Sequence, residues 1–268
     1  MPQARRPKRI VVALDTGSLS RAAIETAARL AIGLHAELEA LFVEDVNLRR
    51  LAELPFASEL GNTSAQYRRF DVAELERAIA VQARQVRRAL EAAARDLPLV
   101  WSLEVLRGDL IAVIVQRTAA ADLLVLGRTR RPAYRGVHGE KVMRRLERRV
   151  ARHPIVALFD GSAAAARVLD AALALERRAQ GDVLVAIPAS QPEQFAALRG
   201  QVQAMLAVRG HASTGCVCLP DADIATIAET AKRRRAGAVL LPVADLARAE
   251  HEFEGLVDEI ACPVVLIR

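Results

Sequence analysis

Few residues of this chain have both the type and the position to do chemistry. Asp15 closes a short apolar run, Ile10-Val11-Val12-Ala13-Leu14, with Ser18 and Ser20 close behind. Asp160 closes a second run, Ile155-Val156-Ala157-Leu158-Phe159, and is followed by Gly161-Ser162. A carboxylate and hydroxyls where a strand gives way to a helix serve first as turn and helix-cap residues, and at the mouth of a parallel sheet they can also meet a ligand. Gly127 follows a third run, Asp122-Leu123-Leu124-Val125-Leu126, and precedes Arg128, Arg130 and Arg131. A glycine there lets backbone N–H groups approach an anion, and guanidinium groups can add to them. Its plainer role is a tight turn. Catalytic constellations are missing. There is no Gly-Lys-Ser/Thr phosphate loop and no Gly-x-Ser-x-Gly elbow. His35, His138, His153, His211 and His251 have neither metal-ligand spacing nor a nucleophile beside them. Cys216 and Cys218 sit two apart in a strand-like run and so share a face; with Cys262 they make no disulfide framework and read as buried or half-buried thiols. No enzyme and no bound metal are expected from these residues.

The elements that position these residues occur twice. Ile10–Asp15 returns as Ile155–Asp160, displaced by about 145 residues, the span of one domain. Ala23-Ile24 meets Val168-Leu169, Ala27 meets Ala172, and Glu37-Leu38 meets Asp182-Val183 at the same shift. The pattern predicts strands over 9–15, 37–43, 100–106 and 122–126. Helices are predicted after Ser18 or Ser20, over 70–97, from Gly108-Asp109 through 115, and over 140–150. Residues 44–61, with Pro55, read as an irregular insertion. The second half predicts strands over 155–159, 182–187, 215–219, 238–243 and 263–267, with helices over 163–178, 193–208, 223–235 and 246–260. Strand and helix alternating through short links imply parallel sheets with right-handed crossovers, an α/β chain of two tandem doubly wound domains, 1–152 and 153–268.

One strand is missing from this count. The second half ends in a fifth strand, whereas the first passes from its last helix directly into Ile155. The first sheet therefore lacks its own edge strand, and an open edge invites pairing. The C-terminal strand or a second chain is expected to cover it.

The 268 residues are 52% apolar but only 3% aromatic, so two cores must be built from Ala, Leu, Val and Ile. No apolar run approaches the roughly 20 residues that span a bilayer, and Asp15 interrupts the apolar stretch behind the basic start of the chain. A cytoplasmic protein without a membrane partner is expected.

The ordered set of Asp15 with Ser18 and Ser20, Ala36-Glu37-Leu38-Glu39-Ala40-Leu41-Phe42-Val43, Arg107-Gly108-Asp109 and Asp122–Gly127 resembles the universal stress protein family. Phe42-Val43-Glu44-Asp45 with Leu51-Ala52-Glu53-Leu54-Pro55-Phe56 is similar to a tandem bacterial subgroup. The resemblance implies five-stranded parallel sheets of Rossmann-like, adenine nucleotide alpha-hydrolase-like architecture. It also implies halves packed as a pseudo-dimer, homodimers, and ATP or AMP binding (with Mg accompanying the nucleotide) in a stress response without turnover. It places Asp15 near the ribose and Val43 near the adenine. The family's phosphate motif follows the fourth strand: Gly, two residues, Gly, nine residues, Gly, then Ser or Thr. Here Leu126 and Gly127 open it, Arg130 replaces the second glycine, Gly136 lies within it, and Gly139 serves as the third glycine only with one residue deleted. Glu140 stands at the hydroxyl position, where a carboxylate repels phosphate. Arg128, Arg130 and Arg131 could supply the contacts instead. The second half ends its fourth strand in Leu241-Pro242-Val243-Ala244-Asp245 with no glycine, so its expected role is structural.

Two other readings remain. The net charge of +6 is concentrated between Arg128 and Arg152, where ten cations meet only Glu140 and Glu147. Arg144, Arg145, Arg148 and Arg149 recur at helical spacing, a stripe that could take an acidic protein or nucleic acid. The same stripe could pair with Glu250, Glu252, Glu254, Asp258 and Glu259 in the matching helix of the second half, or of a second chain, and such pairing is favoured because no aromatic platform beyond Tyr134 accompanies the arginines. A weak nucleotide hydrolase is the other alternative.

Overall fold

The computed structural model describes residues 9–15, 20–54, 58–60, 67–69, 71–95, 98–109, 112–114, 116, 121–127, 153–179, 182–211, 214–243, 259–260 and 262–268. The first half contains β1 (Arg9–Asp15), α1 (Arg21–Leu34), β2 (Glu37–Asp45), α2 (Val46–Glu53), β3 (Ser58–Leu60), β4 (Tyr67–Arg69), α3 (Val72–Ala94), β5 (Trp101–Gly108) and β6 (Leu123–Leu126). The second contains β7 (Ile155–Leu158), α4 (Ala163–Ala179), β8 (Val183–Pro188), α5 (Pro192–Val208), β9 (Gly215–Leu219), α6 (Ile224–Arg234), β10 (Ala238–Pro242) and β11 (Val264–Ile267).

Nine strands form one sheet in the order β5-β2-β1-β6-β11-β10-β7-β8-β9, and β3 and β4 form a separate antiparallel hairpin. Each half is parallel within itself, and both set their first strand between the second and the fourth. The repeat is visible in the register. Ile10 lies opposite Leu38 and Ile155 opposite Val183, each pair displaced by the same shift. The apolar strand runs put one set of side chains on each face, giving two cores. On one face Ile10, Val12 and Phe42 pack with α1 and α3, and Ile155, Ala157 and Phe159 with α4 and α5. On the other, Val11, Leu124 and Val156 pack with Ile114 and α6.

The edge expected to be open beside β6 is taken by β11. This strand pairs in parallel with β10 and antiparallel with β6, Ile267 opposite Leu123 and Val264 opposite Leu126. The two predicted sheets therefore run into one.

The insertion after β2 is more regular than expected. Residues 46–53 are helical because Asp45 accepts from the Asn47 N–H at 2.8 Å as N-cap and Arg49 bridges to Glu53 and across to Glu76 on α3. Between the two possible caps of α1, Ser20 is the one used. The predicted helix 140–150 and nearly all of 246–260 lie outside the described residues.

Leu266 is 1% exposed in β11. Leu266→Ala is expected to lower stability by about 3 kcal/mol in one cooperative urea transition reported alike by probes in both halves. Two separate transitions, with the first half unmoved, would show that β11 does not join them.

Candidate functional site

Strand order reverses at β1. The chain leaves it through α1 toward β2 on one side and returns as β6 on the other, so their C-terminal ends border a crevice. Asp15 is the register partner of Val43, and Ala13 that of Leu126, with Gly127 next along the chain. Four of the eight residues expected to form a site therefore meet at one rim. Val43 and Leu126 are buried, 1% and 4% exposed, and Gly127 is half-buried. Arg128, Arg130, Gly136 and Gly139 lie outside the described residues, as do Arg144, Arg145, Arg148, Arg149 and the acidic residues at 250–258.

Gly127 has a packing reason to be glycine. A Cβ there would stand 2.5 Å from the Cβ of Ser20 and 2.9 Å from its Oγ. Ser20 is the N-cap of α1, its Oγ accepting from the Ala23 N–H at 3.3 Å. The missing side chain thus lets β6 end directly against the start of a helix, where free N–H groups and the dipole favour negative charge.

The other polar rim residues are committed to neighbours. Arg107 donates to Glu44 across the β5–β2 ladder at 2.6 Å, a hydrogen bond that raises the guanidinium pKa above its usual value. Asp109 accepts from the Ala112 N–H at 3.0 Å, and a Cβ at Gly108 would meet Val113 at 2.9 Å. In the second half, Asp160 accepts from the Ser162 N–H at 2.9 Å and Ser162 from the Ala165 N–H at 3.1 Å. Gly161 has a φ of +83°, and α5 lays Leu198 against it. That turn serves as a cap.

The model of the universal stress protein family matches residues 7–150. The chain belongs to this family. Its fold is similar to that of a universal stress protein from Archaeoglobus fulgidus DSM 4304, at 12% identity, a TM-score of 0.53 and 96% coverage of each chain. A Pseudomonas aeruginosa UCBPP-PA14 protein assigned to the same family matches at 14% identity and a TM-score of 0.50, covering 97% of this chain and 93% of its own. None of the curated proteins matches the chain.

In this family member no cluster of three or more His, Cys, Asp and Glu fit for a metal occurs among the described residues, nor any helix long and apolar enough to cross a membrane. Cys216 is half-buried on edge strand β9 and Cys218 is exposed. Burial pushes the Cys216 thiol up, opposed by Arg199, and pushes Cys262 up to about 12. Sequence spacing did not reveal that Ser20 abuts Gly127, since the contact joins a helix start to a distant strand end.

Gly127→Ala is expected to cost about 1–3 kcal/mol by urea unfolding, and Ser20→Gly in the same chain to recover part of it, because glycine is a tolerable N-cap. Equal stability of the single variant and the parent would refute the steric account. With a thiol reagent at neutral pH, the exposed Cys218 is expected to react first and Cys262, whose thiol is held protonated, last; modification of Cys262 ahead of Cys218 would contradict this order.

Proposed function

We propose that the first half binds an adenine nucleotide, ATP or AMP, in the crevice beside β1, and that binding changes the protein's association with itself or a partner without turnover, in the cytoplasm. The observation that carries this reading is the convergence of Asp15, Val43, Leu126 and Gly127 with the start of α1 where strand order reverses. Such a rim offers a carboxylate residue for a ribose, apolar walls for a base, and helix N–H groups for charge. Mg, where it accompanies the nucleotide, screens the phosphates. Family membership supports the reading. The second half, with its capped turn and no glycine at the end of β10, supports the first through the shared sheet.

Calorimetric titration of nucleotide-stripped protein with Mg-ATP and with AMP tests this. The expected result is saturable binding to one class of sites, lost or at least tenfold weaker in Asp15→Ala. Asp15 is the better choice for substitution because a change at Gly127 also breaks the Ser20 contact. No heat at millimolar nucleotide would leave a ligand-free scaffold, with attention on Arg144, Arg145, Arg148 and Arg149. Steady phosphate release would revive the hydrolase reading.

A further inference from the structure

At the other end of the first-half strands lies a cavity of about 560 Å³, within the range of roughly 300–1,000 Å³ typical of small-molecule sites. It sits between the end of α1 and the length of α4, over the start of β6 and the end of β11. Leu123 and Ile267, register partners, give it an aliphatic floor. Gly33 brings the two helices together, since a Cβ there would stand 3.2 Å from both the Cβ and the carbonyl oxygen of Ala174.

Four arginines line this cavity: Arg167, Arg177 and Arg178 on α4, and Arg268 after β11. The Arg167 Nε is buried with no hydrogen-bond partner. Arg177 donates its Nε to the Leu173 carbonyl of its own helix at 3.3 Å, which leaves its other N–H groups for a ligand. Two carboxylates share the wall. Asp170 is engaged by Arg209, whose Nε donates to it at 2.6 Å, and the main chain of Asp122 accepts from the Arg268 N–H at 3.3 Å, which holds the end of β11 beside the start of β6. Like charges gathered beside apolar surface, with a buried donor left over, are stabilised by an anion. Guanidinium forks suit carboxylate and phosphate oxygens. In the repeat, Arg167, Arg177 and Arg178 fall on Ala22, Ile32 and Gly33, so the first half holds no copy of this cluster.

We propose that this cavity binds a small amphipathic anion, a carboxylate or phosphate monoester on a compact aliphatic body, held by Arg167, Arg177 and Arg178 between the two halves. It is separate from the crevice by Asp15, since the two lie at opposite ends of β6.

The test uses the intact protein and 1-anilinonaphthalene-8-sulfonate, a fluorescent sulfonate on an apolar body. Octyl phosphate and octanoate are expected to displace it saturably, and octanol at the same concentration to leave it bound. Arg167→Met is expected to weaken octyl phosphate by about tenfold or more, with Mg-ATP titration unchanged. The exposed Arg178→Glu should do the same with an unaltered fold by circular dichroism, and carries the test if Arg167→Met does not fold. Displacement by octanol as strong as by octyl phosphate, or unchanged octyl phosphate affinity in Arg178→Glu, would overturn the proposal.

Discussion

One four-residue strand carries the sheet of one half into that of the other. β11 offers backbone groups on both sides and finds a partner for each, β10 in parallel and β6 antiparallel. Without it the first half would expose β6, an apolar strand with an unpaired edge, in the middle of the molecule. Its four residues are buried on both faces, so the hydrophobic and hydrogen-bonding contributions fall in the same place. The antiparallel step also sets direction. First-half strands end at one side of the sheet and second-half strands at the other, so each half's rim is built only from its own strands. The crevice at Asp15 and the turn at Asp160 cannot share a ligand.

The two turns show how one scaffold reaches two outcomes. In each, an Asp stands at or just beyond the end of the first strand and a Ser hydroxyl accepts at the start of the following helix. At Asp160 the carboxylate is taken up by the Ser162 N–H, and α5 lies against Gly161. In the first half, glycine at 127 lets the end of β6 touch the helix start, whereas β10 runs into Val243-Ala244-Asp245 with no glycine in the matching place. A structural and a ligand-binding role for Gly127 are therefore not rivals. The close approach that demands glycine is what brings helix N–H groups to the rim.

Much of this was legible in the sequence because parallel strands carry an apolar signature of their own. Runs such as 10–14 and 122–126 announce central strands, and a repeat without gaps through residue 38 gives the same strand-helix-strand order in both halves. Even the missing edge strand could be inferred, by counting. What was not legible depended on contacts between distant elements. Residues 46–53 read as irregular because their helix rests on one cap and on α3, and a charged stretch beside Pro55 gives little periodicity. Ser20 and Gly127 are more than a hundred residues apart. Arg167, Arg177 and Arg178 carry no signal in the sequence, because what gathers them beside a cavity is the close approach of α1 to α4 at Gly33. The basic segment at 128–152, the loudest charge signal, falls outside the described residues.

β6 is bordered at one end by the crevice and at the other by the arginine cavity, which raises the question of coupling between them. Coupling requires an element with two arrangements that both sites bias. β6 is a poor candidate. It is paired on both sides and buried on both faces, and a one-residue slip would turn its core side chains to the wrong layer. Close-packed strands of this kind transmit stability rather than movement. Ligands at the two ends should therefore each stabilise the folded chain by mass action and leave one another's affinity unchanged. β6, held between β1 and the strand that unites the halves, is what keeps the two sites independent.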